Sequence, residues 1–396
     1  MRCILTLFAA TGLCMIGFSS QGKAQSAGVS DHEITIGMTT VLSGPSHNLG
    51  DEMKRGVEAY FATVNEQGGI HGRKLRLDAL DDGYEPARAA PNMRQLIDDK
   101  QVFAILGNVG TPTAVVSVPI AMEKKVPFFG ALTGAGILRK NPPDRYVINF
   151  RASYAEETAA MVKGLVHDLG IKPEHIAFFT QNDAYGDAGY QASVKALHDI
   201  GFTRTAAMVH GRYQRNTVNV EDGLTRILDA KRQPKAIIMV GTYKACAKFI
   251  KLAKSEGLNA LFLNVSFVGS ESLMAELGPQ GQGVIVTQVV PPLDSNMAVI
   301  EEYKKAIKPA KPSFISLEGY LAARSFAEGL RRAGRDLTRE KFIDVLEAST
   351  DIDIGLGEKH SLSPTQHQIS HAVWPTMITG NQFRSFRWSD IRKPGS

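Results

Sequence analysis

Cysteine is nearly missing from this chain: 396 residues hold 3, at Cys3, Cys14 and Cys246. Two of them lie in a segment that reads as removable, so only Cys246 would remain and no internal disulfide is expected. Short patterns that carry chemistry are missing too. No G-x-S-x-G elbow, H-E-x-x-H pair, C-x-x-C cluster or G-x-x-x-x-G-K-[ST] loop occurs, which removes the usual signatures of hydrolases, zinc proteases and phosphate-loop enzymes. The segment GALTGAG (Gly130 to Gly136) follows a strand pattern but lacks the spacing of a dinucleotide loop. Histidines are scattered, and His360, His367 and His371 sit in a Pro/Ser/Thr/Gln-containing segment without metal-ligand spacing. No catalytic residues, no metal ligands and no cofactors are therefore expected. An exported α/β hydrolase is the weaker alternative.

Charge of one sign is also in short supply. The net charge of +5 falls to +3 (43 basic against 40 acidic) if Arg2 and Lys23 are removed, too mild a balance to imply nucleic acid or anionic lipid as a partner. The single long apolar run is at the start. Met1-Arg2, the apolar stretch Cys3 to Phe18 and Gly22-Lys23-Ala24 together read as a cleavable signal peptide over residues 1–24. Ser19, Ser20 and Gln21 cut the run short of the about 20 apolar residues a membrane span needs. The expected mature chain is exported and soluble, without direct membrane insertion.

What is present is an alternation. Ile34 to Met38 reads as a buried strand, Ser43 to Gly50 as a loop, and Asp51 to Asn65 as a helix with an apolar stripe at Met53, Val57, Tyr60, Phe61 and Val64. A glycine turn leads to a strand from Lys74. Strands at Val102 to Gly107 and Val126 to Gly130, with a helix near Ala114 to Lys124, continue the pattern, and Tyr146 to Phe150 is expected to leave this first layer. A second cycle follows: helix Tyr154 to Leu169, strand Ile176 to Thr180, loop Gln181 to Gly189 and helix Tyr190 to Ile200. It continues with strands Phe202 to Val209, Ala236 to Gly241 and Leu261 to Val265, and helices near Val220 to Ala230 and Tyr243 to Glu256. Strand Val284 to Val290, three helices between Asn296 and Ala348, and strands around Ala372 to Thr379 and Phe383 to Trp388 complete it. This spacing indicates βαβ units and an α/β fold in two halves. In open α/β sheets ligands sit at the carboxyl ends of strands, which makes Leu42 to Gly50 a first candidate loop.

The segments ITIGMTTVLSGP (Ile34 to Pro45), NEQGGIHGRKL (Asn65 to Leu75), ILGNVGTPTA (Ile105 to Ala114), VPFFGALTGAG (Val126 to Gly136), NDAYGDAG (Asn182 to Gly189), FVGSESL (Phe267 to Leu273) and GVIVTQVVP (Gly283 to Pro291) together resemble the type I periplasmic binding proteins of the branched-chain amino acid transport group. The resemblance covers nearly all of the chain after the leader. It implies two doubly wound α/β lobes joined by three crossovers with a ligand cleft between them. Lobe 1 would be 29–149 plus 288–350. Lobe 2 and the C-terminal crossover would be 150–287 plus 351–396. The implied function is the periplasmic substrate-binding component of an ABC importer, monomeric, with a small-molecule ligand and a membrane permease as partners. A ligand-sensing receptor subunit on the same fold is the alternative.

The resemblance also implies contacts. First-lobe loops would hold a ligand's polar end through Ser43, Asn48, Asn108, Thr111 and Thr133, since small hydroxyls and amides donate without adding charge. From the second lobe Tyr185 would close over the ligand, with Tyr154 and Ser266 nearby. Leu49 stands where relatives often carry an aromatic. Ser266 stands where amino acid binders of the group present an acid to the ligand's ammonium, and a buried cation without a carboxylate is costly. A ligand without an α-amino group, such as an aromatic acid, another carboxylate or an amide, is the expectation from that position.

Overall fold

The computed structural model describes residues 26–391; the expected signal peptide lies outside them. The first sheet contains β1 (Glu33–Thr40), β2 (Lys74–Asp81), β3 (Ala104–Leu106), β4 (Phe128–Phe129) and β5 (Val147–Ile148), in the order β2-β1-β3-β4-β5. All its pairings are parallel. The second sheet contains β6 (Ile176–Gln181), β7 (His210–Tyr213), β8 (Ala236–Val240), β9 (Leu261–Asn264) and β10 (Ile285–Gln288). Its parallel part runs β7-β6-β8-β9-β10, the same doubly wound order as the first. A short pair, β11 (Ile352–Asp353) with β12 (Lys359–His360), stands apart from both sheets. The hairpin of β13 (Trp374–Thr379) and β14 (Gln382–Ser385) adds antiparallel strands to the free edge of β10. Strands buried on both faces need near-continuous apolar sequence, and Ile176–Gln181 and Ala236–Val240 are buried at every position.

In the first half the helices are α1 (Asn48–Glu66), α2 (Pro86–Arg94) and α3 (Thr111–Glu123); the second half carries α4 (Tyr154–Lys163), α5 (Ala184–Asp199), α6 (Glu221–Leu228), α7 (Tyr243–Ser255) and α8 (Ser270–Leu277). The chain then returns to the first lobe with α9 (Ala298–Ala306), α10 (Phe314–Ala333) and α11 (Arg339–Glu347). Helix α10 lies against α1 so closely that a Cβ on Gly56 would stand 1.9 Å from the Ser316 carbonyl oxygen. Phe326 on α10 meets Phe129 on β4 edge-on at 5.4 Å and Phe342 on α11 at 5.0 Å. This packing sets α10 and α11 against the elements of the first sheet.

The predicted elements are present with several departures. Tyr146 to Phe150 does not leave the first layer: Val147–Ile148 pairs with β4 as its edge strand. Phe202 to Val209 is not a strand; pairing with β6 begins at His210. Helix α5 starts at Ala184, so the loop expected up to Gly189 is mostly helix. The glycines that read as a loop are helical positions of close approach: a Cβ on Gly186 would fall 1.8 Å from the Gln181 carbonyl oxygen, and one on Gly189 2.5 Å from a Val240 methyl. Helices α2 and α8 add to the predicted set. No helix among the described residues is long and apolar enough to cross a membrane.

Candidate functional site

The carboxyl ends of the two sheets face each other, and the loops there meet. The Gln181 amide at the end of β6 lies 3.4 Å from the Tyr84 hydroxyl after β2. Asn216 after β7 donates to the Gly83 carbonyl (3.0 Å) and to Glu85 (2.6 Å), while Arg215 joins Glu85 (2.7 Å) to Asp183 (2.9 Å). On another side of the cleft Asn48 donates to Ser272 (3.1 Å), the Phe314 N–H donates to Glu271 (3.1 Å), and Leu49 packs onto Gly269. Direct contact therefore joins the lobes on these sides. Between α3 and α5 they part around a cavity of about 670 Å³, lined by Thr111, Val115, Gly134 to Ile137, Arg139, Ser153 to Ala155 and the α5 face from Ala184 to Lys195.

At the inner wall three hydroxyls form a chain. Thr111 Oγ1 lies 2.7 Å from Thr133 Oγ1, which lies 3.5 Å from the Tyr154 hydroxyl, and the Ala135 N–H donates to Thr133 Oγ1 (3.2 Å). Thr133 donates to Tyr154, so its bond to Thr111 uses the Thr111 hydrogen, and the Tyr154 O–H is left over at the end of the chain. Local structure positions each member. Thr111 opens α3 after Gly110, whose φ of 101° demands glycine and whose α-carbon lies against the Tyr84 ring. Tyr154 opens α4 behind the capping box of Ser153 and Glu156. Thr133 sits in the loop after β4 and is wholly buried.

Much of the remaining lining is apolar. Among the described residues the large hydrophobic side chains exposed beyond a third are Val115, Ile137 and Val218, and the first two border this cavity. Arg139 borders it as well, half-buried. Its Nε donates to Gln368 (2.6 Å), Nη1 to the Thr133 and Ala135 carbonyls (3.3 and 3.0 Å), and Nη2 to the Arg151 carbonyl (2.9 Å). Burial, helped by the neighbouring Arg151 charge, draws its pKa down to about 10, so it stays cationic at neutral pH.

Of the expected site residues, Thr111, Thr133 and Tyr154 come together in the hydroxyl chain. Tyr185 is buried one step inward, its ring 5.6 Å from Tyr154 and 4.6 Å from Phe267, its hydroxyl donating to the Gly241 carbonyl (3.3 Å). Asn108 is buried and donates to the Thr39 carbonyl (3.2 Å). Ser43 is exposed and bound to Asp81 (2.6 Å), away from the cavity lining. Asn48 is engaged in the interlobe contact already described. Ser266 is held by Arg151 and by Glu157, whose carboxylate accepts from the Ser266 N–H (2.8 Å) and hydroxyl (3.0 Å) and from the Thr287 hydroxyl (2.5 Å). An acid therefore does stand beside Ser266, supplied by α4, but Arg151 neutralises it at 2.8 Å. Glu271 lies at the α10 start, where burial lifts its pKa to about 8, and not in the cavity.

Sequence reading missed Tyr84, Arg139, Arg151 and Phe267. Tyr84 is wholly buried at φ 63° between the lobes. An arginine within GILRK and a tyrosine within DDGYEP carry no local signal, since only the meeting of the two lobes gives them a role.

The geometry is that of a two-lobed binding protein, and residues 33–382 match the model of the periplasmic binding protein family, to which this chain belongs. Leu/Ile/Val-binding protein homolog 3 of Brucella melitensis is 27% identical over 97% of this chain and 95% of its own length. A possible leucine/isoleucine/valine-binding protein from Rhodopirellula baltica superposes with a TM-score of 0.87 and 45% identity, covering 93% of this chain and 99% of that one. A substrate-binding periplasmic protein from Ralstonia solanacearum gives 0.82 and 26%, covering 89% and 100%.

Proposed function

We propose that this chain is the periplasmic substrate-binding component of an ABC importer, capturing a small amino acid-like, carboxylate, aromatic acid or amide solute between its lobes and passing it to a membrane permease. The observation that carries the reading is the cavity between α3 and α5, lined by exposed Val115 and Ile137 together with Thr111 and Tyr154, the two ends of a buried hydroxyl chain. Exposed apolar side chains beside a few convergent polar groups are what a ligand site requires. The names of the Brucella and Rhodopirellula relatives support an organic solute of this kind.

The mechanism is closure. A ligand docks on Thr111 and the Gly134 to Ile137 loop of the first lobe, and rotation about the crossovers brings Tyr154 and the α5 face against it. Exclusion of water strengthens each polar contact, and Arg215 and Asn216 then engage Glu85 and Gly83 across the cleft. No covalent step is involved. Small-angle scattering with and without a ligand found by thermal-shift screening tests this: compaction and a raised midpoint are expected. A ligand that binds without compaction, or turnover of any ligand, overturns it.

A further inference from the structure

Three charged side chains border the cavity, and two of them are already neutralised. Asp187 pairs with Arg212 (2.5 Å) and Lys195 with Asp199 (2.6 Å). Arg139 is different: among the described residues it forms no ion pair, and all four of its hydrogen bonds end on neutral oxygens. A guanidinium has five N–H donors, so one on Nη2 remains. The nearby Glu156 offers little in return, because its carboxylate already accepts from the Ser153 N–H and hydroxyl, from Gln368 and from His371. A half-buried cation without an acid in contact is unfavourable unless an anion completes its surroundings.

The inner wall makes the same demand in another form. The hydroxyl chain ends in one spare O–H, which suits an acceptor such as a carboxylate oxygen. An ammonium needs several acceptors and a counter-charge. Glu157 is spent on Arg151, Ser266 and Thr287, Glu318 lies 3.6 Å from Arg151, and Asp183 is bound to Arg215. The cavity, at about 670 Å³, falls in the range for drug-sized ligands, roughly 300–1,000 Å³, and its broad walls are Val115, Ala135, Ile137, Ala184 and Ala188.

We propose that Arg139 selects the charge of the ligand, and that the ligand is a monocarboxylate with an apolar body and no ammonium group. The inference rests on the binding reading above. Its carboxylate lies toward Arg139 and the Thr111 and Tyr154 hydroxyls, and its apolar body runs between Val115 and Ala188. Because Arg139 also braces the loop at Thr133 and Ala135, it acts both by its charge and by holding that wall in place.

The test is calorimetric titration of the mature chain with matched series on one skeleton: 3-phenylpropanoate, 3-phenylpropanamide and phenylalanine, then 4-methylpentanoate, its amide and leucine. Wild type should bind the better carboxylate at least about tenfold tighter than its amide or amino acid. Arg139→Gln should weaken carboxylate binding more than amide binding and so remove that preference, and Arg139→Lys should restore part of it. Loss of amide and carboxylate binding alike in Arg139→Gln would reduce the residue to a brace and overturn the proposal. Tighter binding of phenylalanine or leucine, with compaction in scattering, would overturn it while leaving the binding reading intact. Failure of every probe to bind or compact wild type would count against both.

Discussion

Arg151 and Glu157 form an ion pair of 2.8 Å with both side chains at 0% exposure. Arg151 lies where the chain crosses from the first lobe to the second, and it also faces Glu318 on α10 of the first lobe at 3.6 Å. Burial lifts the Glu318 pKa to about 7 against the pull of Arg151. One guanidinium thus ties an acid from each lobe at the hinge. Removing one partner of such a pair leaves a buried uncompensated charge, which costs about 3–5 kcal/mol. Glu157→Ala should lower the urea unfolding free energy by that much, and a loss under about 1 kcal/mol would show the pair to be dispensable.

Arg215 should act on closure more than on stability. It lies on the second lobe and reaches Glu85 on the first. A partly exposed pair of this kind is worth about 0.2–1 kcal/mol and is screened by salt. Arg215→Ala is expected to lessen the ligand-induced compaction in scattering, weaken ligand binding a few-fold with faster release, and leave the unfolding midpoint nearly unchanged. Unaltered binding at low salt would exclude this contact from closure.

Within the hydroxyl chain the middle member should matter most. Thr111→Val removes one hydroxyl at the chain's end, whereas Thr133→Val severs both links and leaves the Ala135 N–H without its acceptor. A hydrogen bond contributes about 0.5–1.5 kcal/mol net, so titration should show a several-fold loss for Thr111→Val and a larger one for Thr133→Val. The reverse ranking would mean that Thr133 only shapes the loop.

Glu271 gives stability a pH dependence of predictable sign. Burial raises its folded pKa from 4.5 to about 8, so the unfolded chain loses this proton first as pH rises. Its contribution to folding therefore declines between about pH 4.5 and 8. A glutamine in its place can still accept from the Phe314 N–H, so Glu271→Gln should raise the thermal midpoint at pH 8 and change it little at pH 4.5. An equal shift at both values would point to packing instead of titration.

The alternation of apolar strands and amphipathic helices determined two α/β halves from sequence alone, because a parallel sheet must be apolar on both faces and each helix must carry a stripe. Thr111, Thr133 and Tyr154 were singled out through the family resemblance, and in the fold their hydroxyls meet in one chain. The resemblance named Ser43 and Ser266 as well. Their fate was decided by neighbours far away in the chain: Asp81 takes the Ser43 hydroxyl, and Glu157 and Arg151 take Ser266. Local pattern determines which face of an element is buried. Only the tertiary structure decided which polar groups meet, and hence that Arg139 borders the cavity with neutral partners while Arg151 is spent on two acids. Charge pairing depends on distance in space, and the lobes bring together residues whose separation along the chain carries no periodic signal.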